Sequence, residues 1–162
     1  MVQNSSTAPE TTSPIGQSAQ RDPALRRLDK LVGTWELKGR TLDAKEDNIF
    51  GRVTIEWLPG GFFLQQRGEL DFMGFKLQSL EIVGYDPATN TFPATVYSSM
   101  SGAALPYYWD VQGDVVTHWT GGSKYTGTFS EDGNTLSGGW RPDKGIEQSA
   151  ENTYDATMIR VK

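Results

Sequence analysis

From Thr34 onward the apolar and polar residues alternate with a period of two. "TWELKGRTL" places Trp35 and Leu37 on one face, and "GRVTIEWL" does the same with Val53, Ile55 and Trp57. The pattern recurs in "FFLQQRGELDF", "KLQSLEIVGY", "TFPATVYSS", "LPYYWDV", "DVVTHWTG", "SKYTGTFS", "TLSGGW" and "ENTYDATMIRV". Turn chemistry separates these runs: Pro59-Gly60-Gly61, "DPATN", the pair Gln112-Gly113 and "EDGN". The spacing predicts about ten short strands with no helix between them, hence an antiparallel meander. Glycines inside strands (Gly39, Gly68, Gly127, Gly138, Gly139) suit the bends of a barrel wall. Closure would remove the long edges of so wide a sheet.

One segment has helical spacing. In "RDPALRRLDKLVG", Asp22 is a good N-cap and Pro23 sits at the first helical position, where no N–H is missed. Leu25, Leu28 and Leu31 share one face, and Gly33 ends the element. The short helix, Asp22–Leu31, needs an apolar surface to lie on and is expected to close one end of the barrel. The preceding "MVQNSSTAPETTSPIGQSAQR" is rich in Ser, Thr, Pro and Gln. Residues 1–21 therefore read as a disordered tail, without the basic start and apolar stretch of a signal peptide. Residues 22–162 form a single all-β domain, a roughly ten-stranded antiparallel barrel.

The helix followed by Gly33-Thr34-Trp35 on the first strand resembles the start of the calycin barrels: lipocalins, fatty-acid-binding proteins and nitrobindin-like proteins. The order of "GTWELKG", "EWLPGGFFLQQ", "EIVGYDPATNTF" and "VYSSMSG" is similar to that of a bacterial calycin-like family, a domain of unknown function. The resemblance implies that Trp35 lies at the closed end and that Arg160, in "MIRVK", packs across its ring as a structural floor. Nitrobindin-like barrels hold haem through a His on a late strand. The last strand here carries Ala156, Thr157, Met158 and Ile159 and no His, so no haem and no other cofactor is expected.

Continuing the phase of Trp35 and Leu37 around the barrel gives an expected lining. It includes Trp57, Leu64, Leu80, Ile82, Tyr107, Trp109, Val115, Trp119, Tyr125, Trp140, Tyr154 and Met158. Of these, Trp57, Leu64, Tyr107, Trp109, Trp119, Tyr125, Trp140, Tyr154 and Met158 are the expected ligand-binding residues, because aromatic rings with a few polar tips commonly line small-molecule cavities. The leading functional expectation is binding of a small apolar or aromatic ligand inside the barrel. An enzyme of the cyclase or isomerase type using His118 or a buried carboxylate, and a filled barrel serving as a structural or interaction domain, are the alternatives.

Composition narrows the field. The chain of 162 residues has a formal charge of −5 and no Cys. That charge disfavours nucleic acid and anionic membranes as partners. Without Cys there is no disulfide framework, which fits a cytoplasmic protein. A homodimer is compatible with the sequence. The single His118 neighbours Trp119 and is expected on the outer face of its strand, with Asp110 across the hairpin as its nearest acid. Those two are the candidates for acid–base catalysis; no catalytic set is assigned. One His and scattered carboxylates give no metal-ligand spacing. Arg67 and Glu69 are expected to point outward.

Overall fold

Ten strands follow a short helix in a computed structural model that describes residues 20–162. The tail expected over residues 1–21 lies, apart from its last two positions, outside the described residues. The strands are β1 (Gly33–Thr41), β2 (Ile49–Trp57), β3 (Leu64–Phe72), β4 (Phe75–Val83), β5 (Phe92–Ser98), β6 (Leu105–Gln112), β7 (Val115–Thr120), β8 (Ser123–Phe129), β9 (Thr135–Pro142) and β10 (Tyr154–Arg160). Each pairs antiparallel with the next, and β1 pairs with β10, so the sheet closes as a barrel. No edge strand remains, and the ladder satisfies the wall's backbone groups within the barrel itself.

The helix is a 3₁₀ helix, Pro23–Leu31, with the Asp22 side chain accepting a hydrogen bond from the Ala24 N–H. The 3₁₀ form explains the leucine spacing. With three residues per turn, positions three apart stack above one another. Leu25, Leu28 and Leu31 therefore make a single apolar ridge, and all three are buried in the core with Trp35. The element ends at Val32, whose N–H donates to the Asp29 carbonyl.

Two hairpin turns set which residues face the lumen. Phe72 pairs with Phe75 around Met73-Gly74, where φ is 53° and 91°. Positive φ at both positions suits the twist of a tight hairpin. Gln112 pairs with Val115, so the β6–β7 turn is Gly113-Asp114, one residue later than the Gln112-Gly113 turn expected from the sequence. A two-residue turn pairs odd positions with even ones, and paired residues share a face. Leu64 and Leu70 face inward, so on β4 the inward residues are Ser79, Glu81 and Val83; the expected Leu80 and Ile82 face out. Trp109 faces inward, so on β7 the inward residues are Val116 and His118; the expected Val115 and Trp119 face out.

Close approach of strands fixes some glycines. A Cβ on Gly138 would lie 2.0 Å from the Thr126 carbonyl oxygen and 2.5 Å from the Gly127 Cα on β8. No side chain fits between those backbones.

Candidate functional site: a polar-tipped chamber in the barrel

The lumen has two parts. Toward the helix it is solid: Leu28, Leu31, Trp35, Phe92 and Val116 are fully or almost fully buried. Here the Trp35 indole N–H donates to the Leu31 carbonyl at 2.8 Å. The Arg160 guanidinium lies 4.1 Å above the Trp35 ring. It also donates to the carbonyls of Val32, Lys30 and Gly133. Trp35 and Arg160 are direct cross-strand partners, so the strand register itself brings the ring and the guanidinium together. The helix is tied down by Arg27 to the Val111 carbonyl and the Asp110 carboxylate, and by Lys30 to Asp114.

Toward the opposite end the lumen is hollow. A cavity of about 280 Å³ remains, just below the ~300–1,000 Å³ usual for ligand pockets. Its wall carries a belt of rings, one from each of five successive strands. Trp109 pairs with His118, His118 with Tyr125, Tyr125 with Trp140, and Trp140 with Tyr154. The His118 ring stacks on Trp109, with centroids 3.8 Å apart and planes 17° apart. Tyr107, one layer nearer the mouth on β6, lies 5.0 Å from the His118 ring. Leu37, Met158 and Leu136, cross-strand neighbours on β1, β10 and β9, supply aliphatic surface.

Across the lumen from His118, β4 contributes Glu81, 2% exposed. Its Oε1 accepts from the Trp109 indole N–H at 2.7 Å and meets His118 Nε2 at 2.9 Å. Its Oε2 accepts from the Gln66 amide at 3.2 Å. Burying a carboxylate is costly unless it is hydrogen-bonded, and three donors serve this one. Because a carboxylate accepts, Nε2 carries the proton shared with Glu81, and in the neutral form of the ring Nδ1 is an acceptor.

The belt's remaining polar atoms are unclaimed. The hydroxyls of Tyr107, Tyr125 and Tyr154, Trp140 Nε1 and His118 Nδ1 bond to no described residue. Yet among the described residues only the Arg21 guanidinium, 3.6 Å from the Asp29 carboxylate, has sealed polar side-chain atoms without a hydrogen bond. Those five groups are therefore reachable from the chamber they line. Burial pushes all three phenols above the ordinary tyrosine range, so they stay protonated donors. For Tyr107 the charge of Glu81 adds to that effect.

Several sequence expectations are redrawn here. His118, expected outward, is buried in the chamber wall, because its cross-strand partner Trp109 faces inward. Its acid is Glu81; Asp110 points outward and pairs with Arg27 of the helix. Trp119 stands on the outer surface, stacked on Tyr108 at 5.6 Å with Lys124 above it. Trp57 and Leu64 sit at the floor, where the Trp57 indole donates to Asp29. Tyr107, Trp109, Tyr125, Trp140, Tyr154 and Met158 do line the chamber. Arg67 and Glu69 are exposed, as expected. Gln66 is not among the residues expected from the sequence, and Glu81 is expected only as an unnamed buried carboxylate. The signal for them was the parity of the β3–β4 hairpin.

A closed antiparallel barrel with one plugged end and one hollow end defines the architecture. The chain belongs to the family described as "Protein of unknown function (DUF1579)", whose model matches residues 22–138. Among solved structures it is similar to the crystal structure of Rv2717c from M. tuberculosis, with a TM-score of 0.57 and 13% identity. That match covers 88% of this chain and 100% of the other, and at such identity it shows the fold alone. Among curated proteins none matches the chain in sequence. No helix of the described residues is long and apolar enough to cross a membrane.

Proposed function

We propose that the barrel reversibly binds one small, largely apolar molecule in its chamber. The observation that carries this reading is the chamber itself: about 280 Å³ of partly open space inside the barrel, apolar over most of its wall, with side chains that carry unclaimed polar atoms among its lining. The packed floor of Trp35 and Arg160 supports a calycin-like reading, in which the far end is the entrance. Haem does not suit these residues. His118 Nε2 is engaged by Glu81, Trp109 covers one face of the imidazole, and the last strand offers no His.

Burying about 300 Å² of apolar ligand surface at ~25 cal/mol/Å² gives about 7.5 kcal/mol before ordering costs, so micromolar affinity is within reach. Calorimetric titration with naphthalene-sized probes tests this, with tryptophan emission as a second signal because Trp109 and Trp140 line the space. Saturable binding by the native protein, abolished in Ala156→Phe, is the expected result. Ala156 lies in the wall between Tyr154 and Met158. Absence of binding by every probe, with Ala156→Phe strongly destabilised by overpacking, would mean a filled barrel.

One feature favours a second reading, an enzyme that moves protons. The Glu81–His118 hydrogen bond places an oriented imidazole in a water-poor wall, as acid–base catalysis requires. Such an enzyme would exchange acidic C–H protons of a bound carbonyl compound with deuterated solvent, and His118→Ala would stop the exchange. A carrier shows no exchange above background.

A further inference from the structure

The chamber's polar atoms have an uneven distribution of donors and acceptors. Trp140 Nε1 can only donate, and the phenols of Tyr107, Tyr125 and Tyr154 are held protonated by burial. Beside these donors, and beside the Ser79, Ser98 and Gln66 side chains that also line the space, stands His118 Nδ1, which in the neutral ring can only accept, its ring 5.0 Å from Tyr107 and 5.3 Å from Trp140. No Lys or Arg lines the chamber, while the Glu81 carboxylate does.

A ligand group that serves this set must donate to Nδ1 and accept from a neighbouring phenol or indole. A carboxylate or a ketone only accepts and leaves Nδ1 unserved. It also brings either no donor or, for the carboxylate, a second negative charge beside Glu81. An ammonium only donates and leaves the Trp140 N–H without a partner. A hydroxyl does both with one atom. The protein supplies its own example of how the chamber treats such a group: Tyr107 is a phenol in this space, and burial together with Glu81 keeps it neutral. The ring belt offers stacking faces for an aromatic body of the same kind.

We propose that the ligand is a neutral hydroxylated aromatic, its O–H donating to His118 Nδ1 and its oxygen accepting from the phenol and indole donors around it. This rests on the carrier reading above and names its ligand class. His118, held by Glu81 through Nε2, acts as the reading residue.

The test uses the full chain and four naphthalenes of matched size. They are 2-naphthol, 2-methoxynaphthalene, 2-naphthoate and 2-naphthylmethylamine, each titrated by calorimetry near neutral pH. The expected result is that 2-naphthol binds about tenfold more tightly than its methyl ether, the worth of one hydrogen bond in a dry site. The anion and the cation should bind more weakly still. In His118→Phe, which keeps a ring against Trp109, the alcohol and ether should bind alike. Because the chain has a single His, ring 15N spectra of the unmutated protein report it without overlap. Nδ1 should shift on adding 2-naphthol and hold still on adding the ether, which keeps the test valid if the variant does not fold. Equal binding of alcohol and ether, an Nδ1 signal unmoved by bound naphthol, or preference for either charged probe would overturn this inference while leaving the carrier reading intact. Failure of all four to bind would remove both.

Discussion

Removing the Arg160 guanidinium and the Trp35 indole, singly and together, measures how the closed end is held. Trp35 has no exposed surface and spends its N–H on the Leu31 carbonyl. Trp35→Ala should therefore cost about 4–5 kcal/mol: the ~3–5 of a large buried aromatic, placed near the top of that range by the lost hydrogen bond. Arg160 donates to three carbonyls that belong to three separate residues, Lys30, Val32 and Gly133. These join the end of the helix to the β8–β9 turn. It is partly solvent-accessible, so water can replace some of those bonds, and Arg160→Ala should cost about 2–3 kcal/mol. The guanidinium lies 4.1 Å over the ring, and a cation–π contact of this kind contributes ~0.5–2 kcal/mol. The double variant should then lose about 1 kcal/mol less than the sum of the singles.

Chemical denaturation in guanidinium chloride is the suitable assay, because it yields free energies directly. An unchanged slope shows that the unfolded state has not been altered instead. Arg160→Lys separates the parts: a lysine keeps the charge but loses the planar fork that reaches several carbonyls, so it should restore some coupling and little total stability. Coupling below ~0.3–0.5 kcal/mol is ordinary additivity for independent sites. That result would refute the claim that ring and guanidinium act as one unit, whatever each contributes alone.

Two further outcomes follow from the chamber and the wall. The phenols of Tyr125 and Tyr154 are raised above their ordinary value of 10.0, so the folded state holds protons that the unfolded chain has released. Their contribution is complete below pH 10 and is lost as pH rises through their folded values, by up to ~1.4 kcal/mol per pH unit for each phenol. Denaturation midpoints should hold nearly level from pH 8 to about 10 and fall steeply from there to about 11.5, and Tyr125→Phe or Tyr154→Phe should each flatten that fall; slopes equal to the unmutated protein's would contradict the burial argument. In the wall, Gly138→Ala forces a Cβ to within 2.0 Å of the Thr126 carbonyl oxygen and should cost about 3 kcal/mol. Gly102→Ala, with nothing within 4 Å, should be close to neutral, and equal effects at the two positions would show that the strands can move apart freely.

The fold was legible because its signals are local. Period-two alternation marks a strand, Gly-rich turns mark a hairpin, and the absence of crossover helices leaves only a meander. The floor was legible as well, since Trp35 and Arg160 occupy strand ends whose register closure determines. The centre of the chamber was misread where hydrophobicity was allowed to choose the inward face strand by strand. On β4 and β7 that choice fails: Leu80 and Ile82 lie half-buried on the outer face, Trp119 stacks on Tyr108 there, and Glu81 and His118 bond to each other inside. The turn was the better guide. Any two-residue hairpin pairs odd with even positions, so an inward Trp109 already requires an even, inward His118, even with the turn set one residue early. What no local pattern supplies is the chord across the lumen from β4 to β7, on which Glu81 depends. The 3₁₀ form of the helix is a milder case: leucines three apart fit both helix types until the floor they cover is known.

The hollow half is a matter of side-chain size and not of backbone. Ten strands close the wall at both ends of the barrel, so the backbone sets a similar circumference throughout. Near the helix that circumference is filled by Trp35, Phe92, Phe129 and the leucine ridge. In the other half the same strands turn Gly68, Ser79, Ser98 and Ala156 inward, and the space they leave is the chamber. Stability alone gives no reason to leave it, nor to set a carboxylate and an imidazole in its wall. Replacing both partners of a buried hydrogen bond by apolar groups of the same shape is often nearly neutral or stabilising. In the cluster the Glu81 carboxylate is bonded to Trp109, His118 and Gln66, while His118 Nδ1 bonds to no described residue. The protein bonds orient the imidazole through Nε2. An outward Trp119 could be lost with no effect on that arrangement. A larger residue at Ala156 would fill the space without touching a single one of those bonds.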